Sequence, residues 1–220
     1  MGRAHFNHRH MKGGRFYMKL LVASNNSGKL EEYRCLLQGL PLEVSNLRQE
    51  GIDFEPEETG LTFEENAIIK ASASARRSGL LTLADDSGLE IDALGGEPGV
   101  HSARYAGTGR GEDVLRYELV LRKLEGIPWH ERTARFRCVV ALAMPDGRVE
   151  TAHGLVEGMI AFEPQGEHGF GYDPIFFLPD FNCTMAQLPP EIKNSISHRA
   201  RAVVAAWSIL HRYIEGESRA

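Results

Sequence analysis

Between Thr62 and Ala84 the chain commits to a helix followed at once by a buried strand, and that succession limits the fold more than any other feature. Thr62 followed three residues later by Glu65 is a capping-box pattern, in which each side chain answers the other residue's backbone N–H. The alanine-rich run beyond it is expected to stay helical to about Ser78 and to stop at Gly79. Leu80 to Ala84 then reads as a buried strand. The same alternation recurs earlier: Lys19 to Ser24 is strand-like, and Leu30, Tyr33 and Leu37 mark a helix over Lys29 to Gln38 that Gly39 and Pro41 end. Leu42 to Ser45 offers a short strand before the acidic loop Gly51 to Gly60.

Past Asp85-Asp86-Ser87-Gly88, Leu89 to Leu94 alternates like a strand, and Gly95 to Gly111 is a long glycine-rich loop, a kind of segment that is often functional. A helix over Glu112 to Leu124 is expected. Two antiparallel strands follow, Thr133 to Ala143 and Arg148 to Val156, joined at Pro145-Asp146-Gly147, with Ala134, Phe136, Cys138, Val140 and Leu142 on one face of the first. Ser197 can cap a last helix striped by Val203, Trp207, Leu210 and Ile214. Strands and helices mixed in this way, without repeats, predict an α/β domain with a long, mixed central sheet.

Residues 1–17 carry Arg3, Arg9, Lys12, Arg15 and the histidines His5, His8 and His10, with no acid, and Met18 stands just before the first strand. They read as an expression leader or a mis-called start, with 18–220 as one domain. Without them the 25 basic residues fall to 21 against 30 acidic ones, a formal charge of −9. An acidic body argues against a long nucleic acid as partner, since phosphate neutralisation drives such binding. No apolar run reaches membrane-spanning length and no secretory signal opens the chain, so a cytoplasmic protein without a membrane partner is expected. Cys35, Cys138 and Cys183 are scattered and odd in number, which predicts reduced thiols.

Four segments carry chemistry. Ser24-Asn25-Asn26-Ser27-Gly28-Lys29 lies where a strand meets a helix, so free N–H groups, the helix dipole and Lys29 favour an anion; taken alone it is equally a polar turn capped by Asn26 or Ser27. It is not a P-loop, because Ala23 and Leu30 stand where that pattern wants glycine and Ser or Thr. Two acidic pairs, Glu57-Glu58 in the loop and Asp85-Asp86 at the carboxyl end of a strand, suggest magnesium, which one carboxylate from each pair would suffice to hold with phosphates and water. Read separately they are an acidic loop and an Asx-type turn. Asn66 and Lys70, four apart, share the face of the capped helix near Glu58. Phe170-Gly171-Tyr172-Asp173 joins aromatics to glycine and an acid, and Lys193 and His198-Arg199 follow; a base can stack there, or the segment can be an aromatic core turn.

In order and spacing these motifs resemble the inosine triphosphate pyrophosphatase, or Ham1-like, family of non-standard purine nucleotide pyrophosphatases. The resemblance runs through Glu57 to Phe63, Ala84 to Leu89, Ala93 to Gly99, Ser102 to Tyr105, Gly169 to Pro174 and Ile196 to Arg199, covering 18 to 212. It implies an elongated mixed sheet flanked by helices, two lobes around a substrate cleft, a homodimer, and Mg²⁺-dependent cleavage of ITP, dITP or XTP between the α and β phosphates. It implies further that Glu58 and Asp86 bind magnesium, that Asp86 accepts the proton and that Asp85 supports it. The Ser24 to Lys29 loop, Lys70 and Lys193 would contact phosphate, Ser87 the substrate, and Phe170 to Asp173 with His198 and Arg199 the base. Ala186 to Ile192 departs from the glutamate-rich approach usual in the family.

A carboxylate on magnesium is a weaker base, so the metal role of Asp86 is the firmer of its two. Arg199, donor-only, suits the 6-oxo group of hypoxanthine or xanthine and mismatches the 6-amino group of adenine, though it does not separate guanine. The rival readings are a Maf-type pyrophosphatase and a nucleotide sensor that keeps the fold without catalysis.

Overall fold

A computed structural model of the 220-residue chain describes residues 9–12, 15–54, 56–107 and 112–215. Its strands are β1 (Arg9–Lys12), β2 (Arg15–Val22), β3 (Leu42–Asn46), β4 (Leu81–Ile91), β5 (Thr133–Ala143), β6 (Val149–Ile160), β7 (Phe176–Leu178) and β8 (Cys183–Thr184). The helices are α1 (Ser27–Leu36), α2 (Phe63–Ser78), α3 (Asp113–Lys123), α4 (Pro190–Ile196) and α5 (His198–Glu215).

The strands form one mixed sheet: β3 and β4 flank β2 in parallel, and β4, β5, β6, β7 and β8 follow antiparallel in that order. The expected α/β class with a long mixed sheet is the one found. β2 begins at Arg15 rather than Lys19, because the aromatic run Phe16-Tyr17 suits a strand and Arg15–Met18 pairs antiparallel with β1. Sheet pairing therefore extends into the segment read as a leader; residues 1–8 of that segment, with His5 and His8, lie outside the described residues.

Local signals placed α2 correctly. The Thr62–Glu65 capping box is formed and Gly79 ends the helix in the left-handed region at φ 71°. Phe63, Ala67, Ala71 and Ala75 are buried against Leu21, Ala84, Val139 and Ala141, alanine allowing the helix close to one face of the sheet. On the opposite face, Tyr33 of α1, Leu37 at its C-cap and Ala202, Val203, Ala206, Ile209, Leu210 and Tyr213 of α5 cover Leu81, Leu83, Cys138, Val140 and Leu142. The stripe expected on α5 is thus rotated: Trp207 is 43 % exposed, and Ala206 and Ile209 take its place. Ser197 caps α5 as expected, accepting from Ala200 N. A further core, with Leu89, Ile91, Phe136, Val156 and Ile160 beneath Val120 and Leu124 of α3, fills the other end of the long strands. The two lobes therefore share β4, β5 and β6.

One expectation about β4 is corrected, and it concerns the site. Asp85-Asp86-Ser87-Gly88 is not a turn or a strand end but the middle of an eleven-residue strand. Pairing with β5 runs unbroken from Thr82↔Ala143 to Ile91↔Ala134, and that ladder overrides the local turn preference. The strand expected over Leu89 to Leu94 ends at Ile91 and passes into a 3₁₀ turn, Asp92–Leu94; within the glycine-rich stretch Gly99–Arg104 is another, and residues 108–111 lie outside the described residues.

Candidate active site

The register of β2 against β4 opens the cleft. β2 pairs with β4 only at Leu20–Val22, with Ala23 N donating to Leu83 O, and then turns away into Ser24. The free edge of β4 is met again further along, where Leu89 N donates to Ser102 Oγ and Glu90 bridges Pro98. Asp85 to Gly88 lie in the interval, and all four line a cavity of about 610 Å³. Because strand side chains alternate, a cavity at a strand edge reaches both faces of the sheet.

On the α2 face stands Asp86. Its Oδ1 accepts from Lys70 Nζ at 3.0 Å and its Oδ2 from Asn66 Nδ2 at 3.2 Å, while Lys70 also donates to Glu58 Oε1 at 2.9 Å. Asn66 is buried behind Asp86 and is fixed by accepting from Gly60 N, so it orients the carboxylate from outside the cavity wall. Burial raises Asp86 above the ordinary aspartate value even against Lys70 and Lys29. Burial pushes Glu58 the same way, but Lys70, with Lys29 and Arg104 behind it, outweighs that and lowers it. Glu57, its neighbour in sequence, is exposed and does not border the cavity.

On the α1–α5 face stands Asp85, which accepts from Lys29 Nζ at 2.8 Å and faces Arg199 Nη2 at 3.4 Å. Burial alone would raise it, yet Lys29 and Arg199 hold it well below the usual carboxylate range. Arg199 also donates to Ser87 Oγ at 3.1 Å and to Glu32 Oε2. Glu32 Oε1 in turn meets Lys193 Nζ at 2.8 Å, and Lys193 donates to Asp173 Oδ2 at 2.6 Å. Asp173 accepts from Phe170 N as well, and the Phe170 ring lies beneath Lys193, with 4.6 Å from Nζ to the ring centre. His198 stacks on Phe136 at 4.7 Å; burial, then the neighbouring cations, keeps its imidazole neutral. Among the described residues, His198 Nδ1 and Arg199 Nε are buried without a partner. Orphaned polar atoms of this kind are what the polar edge of a ligand can satisfy.

The loop from Ser24 to Lys29 closes the cavity between the two sets. Asn26 caps α1 by accepting from Lys29 N, which settles the choice between Asn26 and Ser27. A side chain at Gly28 would begin 2.8 Å from the Phe170 ring, so the glycine is what lets the phosphate-type loop pack on the aromatic loop. Gly169, at φ 78°, leaves room for the Asp173 carboxylate that a Cβ would meet at 2.1 Å.

Apart from Asn66 and Glu57, every site residue read from the sequence borders this cavity. Ser102, Arg104, Asp113, Arg116 and Phe136 border it too without having been singled out individually, and Glu32 supports it from behind. Glu32 had a readable signal, being three residues from Lys29 on one helix face; Phe136 was read as core, and Asp113 is exposed as a site residue only by its contact with Gly171 N at 2.6 Å.

The donor chemistry suits a hard divalent cation. Glu58 and Asp86 present carboxylate oxygens to the same ammonium, and among the described residues no group of three or more His, Cys, Asp and Glu side chains forms a full metal cage. Two carboxylates completed by phosphate and water are the usual complement for magnesium, and too few for a structural zinc site. Among the described residues six cations and five carboxylates line the cavity, so these walls supply little net positive charge for a polyphosphate.

The model of the Ham1 family matches residues 20–208. The chain belongs to the Ham1 family. It is 51 % identical over 201 residues to the dITP/XTP pyrophosphatase of Desulforamulus reducens, covering 91 % of this chain and 100 % of that protein. It is also 51 % identical over 183 residues to the Bacillus subtilis protein of the same name, covering 83 % and 92 %. A solved Ham1 protein from Coxiella burnetii superposes with a TM-score of 0.79 at 45 % identity, over 89 % of this chain and 99 % of that one. The Staphylococcus aureus Ham1 protein gives 0.76 at 43 %, over 91 % and 100 %. The mixed sheet of this chain is thus the fold of the solved Ham1 proteins. Among the described residues no helix is long and apolar enough to cross a membrane.

Proposed function

We propose that this chain hydrolyses non-standard purine nucleoside triphosphates, dITP, ITP and XTP, to the monophosphate and pyrophosphate. The observation that carries the reading is a single cavity in which a helix-start loop with two lysines and two carboxylates faces an aromatic loop with buried, unpartnered His198 and Arg199 atoms. Relatives of about half-identical sequence bear the name dITP/XTP pyrophosphatase. Such an enzyme acts on the cytoplasmic nucleotide pool, and a homodimer is part of the proposal; sedimentation at the mass of one chain would count against the dimer.

In this reading Glu58 and Asp86 hold Mg²⁺, which neutralises phosphate charge and acidifies water when bound. The amides from Ser24 to Gly28, Lys29 and Lys70 bind the phosphates, with Asn66 keeping Asp86 aimed. The water oxygen bonds to the α phosphorus while the bond to the α–β bridging oxygen breaks, its electron pair leaving with pyrophosphate. Asp86 orients the water and, where it is free of metal, can take its proton; Asp85 keeps Lys29 and Arg199 in place. Phe170 and Tyr172 flank the base, with Gly171, Asp173 and Ser87 shaping its pocket. Lys193, expected at the phosphates, is held on Asp173 and over the Phe170 ring, so in this reading it moves to the base side. Arg199 has Nη1 and Nη2 engaged by Glu32, Asp85 and Ser87, so Nε–H is the donor left for a 6-oxo group.

The test is to incubate the protein with Mg²⁺ and a panel of triphosphates, measuring pyrophosphate and orthophosphate separately. Pyrophosphate from dITP and XTP, with little from ATP, is expected. Release of orthophosphate would refute the cleavage position, equal turnover of ATP the base selectivity, and no turnover at all would leave a nucleotide sensor.

A further inference from the structure

Among the described residues, five of the six cations that border the cavity are tied closely to acceptors. Lys29 is bound to Asp85, Lys70 to Glu58 and Asp86, Lys193 to Asp173 and Glu32, Arg199 to Glu32 and Ser87, and Arg116 to Asp113 and Ala103 O. Arg104 differs. Its ion pair is with Glu58 Oε2 at 3.8 Å, beyond hydrogen-bond reach, and its side chain is 55 % exposed.

The backbone around Arg104 is nonetheless held firmly. Ser102 Oγ donates to Gly99 O and accepts from Leu89 N of β4, Ser102 O accepts from Tyr172 OH of the aromatic loop, and Ala103 O accepts from Arg116 Nη1 of α3. A guanidinium is therefore delivered to the cleft wall from a braced main chain while its own fork stays uncommitted. It stands beside Glu58, on the side where Lys70 and the Ser24 to Lys29 loop gather. A planar fork pairs with phosphate oxygens by two parallel hydrogen bonds, which a point charge does not.

We propose that Arg104 is a substrate-contacting residue that grips the β and γ phosphates, the part of the substrate that leaves as pyrophosphate. This rests on the pyrophosphatase reading above. Glu58 holds the guanidinium loosely, and when the carboxylate is engaged elsewhere the fork is released to the polyphosphate. Arg104 thereby joins Lys29 and Lys70 as a third cation on the phosphate side without the cost of breaking a buried pair.

The test uses calorimetric binding in EDTA, where dITP can be titrated without turnover, and compares it with dIMP, which lacks the β and γ phosphates. For Arg104→Ala, dITP affinity is expected to fall about 10-fold while dIMP affinity stays within about two-fold, and Arg104→Lys should recover part of the loss. With Mg²⁺, kcat/KM for dITP should fall about 10- to 100-fold in the alanine variant. Unchanged dITP affinity in Arg104→Ala, or an equal loss for dIMP, overturns the assignment. Failure of the pyrophosphatase reading is seen separately, as absence of pyrophosphate release by the unaltered protein.

Discussion

Asp85 and Asp86 are adjacent in sequence, yet the sheet separates their side chains and gives them opposite tasks. Asp85 is 4 % exposed between Lys29 and Arg199, so Asp85→Asn leaves the buried Arg199 and the half-buried Lys29 without their shared counter-charge and should cost about 3–5 kcal/mol in denaturant unfolding. Asp86→Asn keeps shape and the Lys70 contact, and is expected to leave stability nearly unchanged while lowering pyrophosphate release at least about 100-fold. Comparable stability losses in the two variants would contradict this division. His198 sets a pH dependence. Its folded pKa lies well below the ordinary 6.5, so below that value the unfolded chain binds a proton that the folded one refuses. Stability is therefore full above pH 6.5 and is lost as pH falls, by up to about 1.4 kcal/mol per pH unit from this residue. His198→Gln should flatten the melting temperature between pH 6.5 and 5 relative to the parent.

Elements were legible wherever their signal is local. The Thr62 cap, the Gly79 stop and the alternation of β5 are short-range features, and each appears where the residues place it. β4 was misread because Asp-Asp-Ser-Gly favours a turn in isolation; only its long pairing with β5 keeps it extended. The face of α5 was misread at Trp207 because helical spacing alone does not fix which flank of an apolar stripe meets the sheet. What does fix it is Gly154. A Cβ there would lie 2.0 Å from His198 O and 2.4 Å from Ala202 N, so the glycine lets the start of α5 lie directly on β6. Gly154→Ala is expected to cost about 1–3 kcal/mol and, by displacing His198 and Arg199, to raise KM for dITP. Unfolding and kinetics both indistinguishable from the parent would show that α5 is seated by other contacts.

At the scale of the molecule, β4, β5 and β6 run through all three hydrophobic clusters, so the lobes share their three longest strands. A single calorimetric transition with matching van't Hoff enthalpy is expected, and two resolved transitions would mean that the lobes unfold separately. The sequence by itself determined the element types, the α/β class and the charged and aromatic residues available to a site, since caps, periodicity and motif order are written in neighbouring residues. Tertiary structure alone decided which charges meet. It put Asp85 with Lys29 and Arg199 and Asp86 with Lys70 on opposite faces, brought Glu32 to Arg199 across 167 residues of chain, and left Arg104 uncommitted at the cleft wall. These pairings depend on strand register, and register is fixed by the packing of the whole sheet, which no local segment encodes.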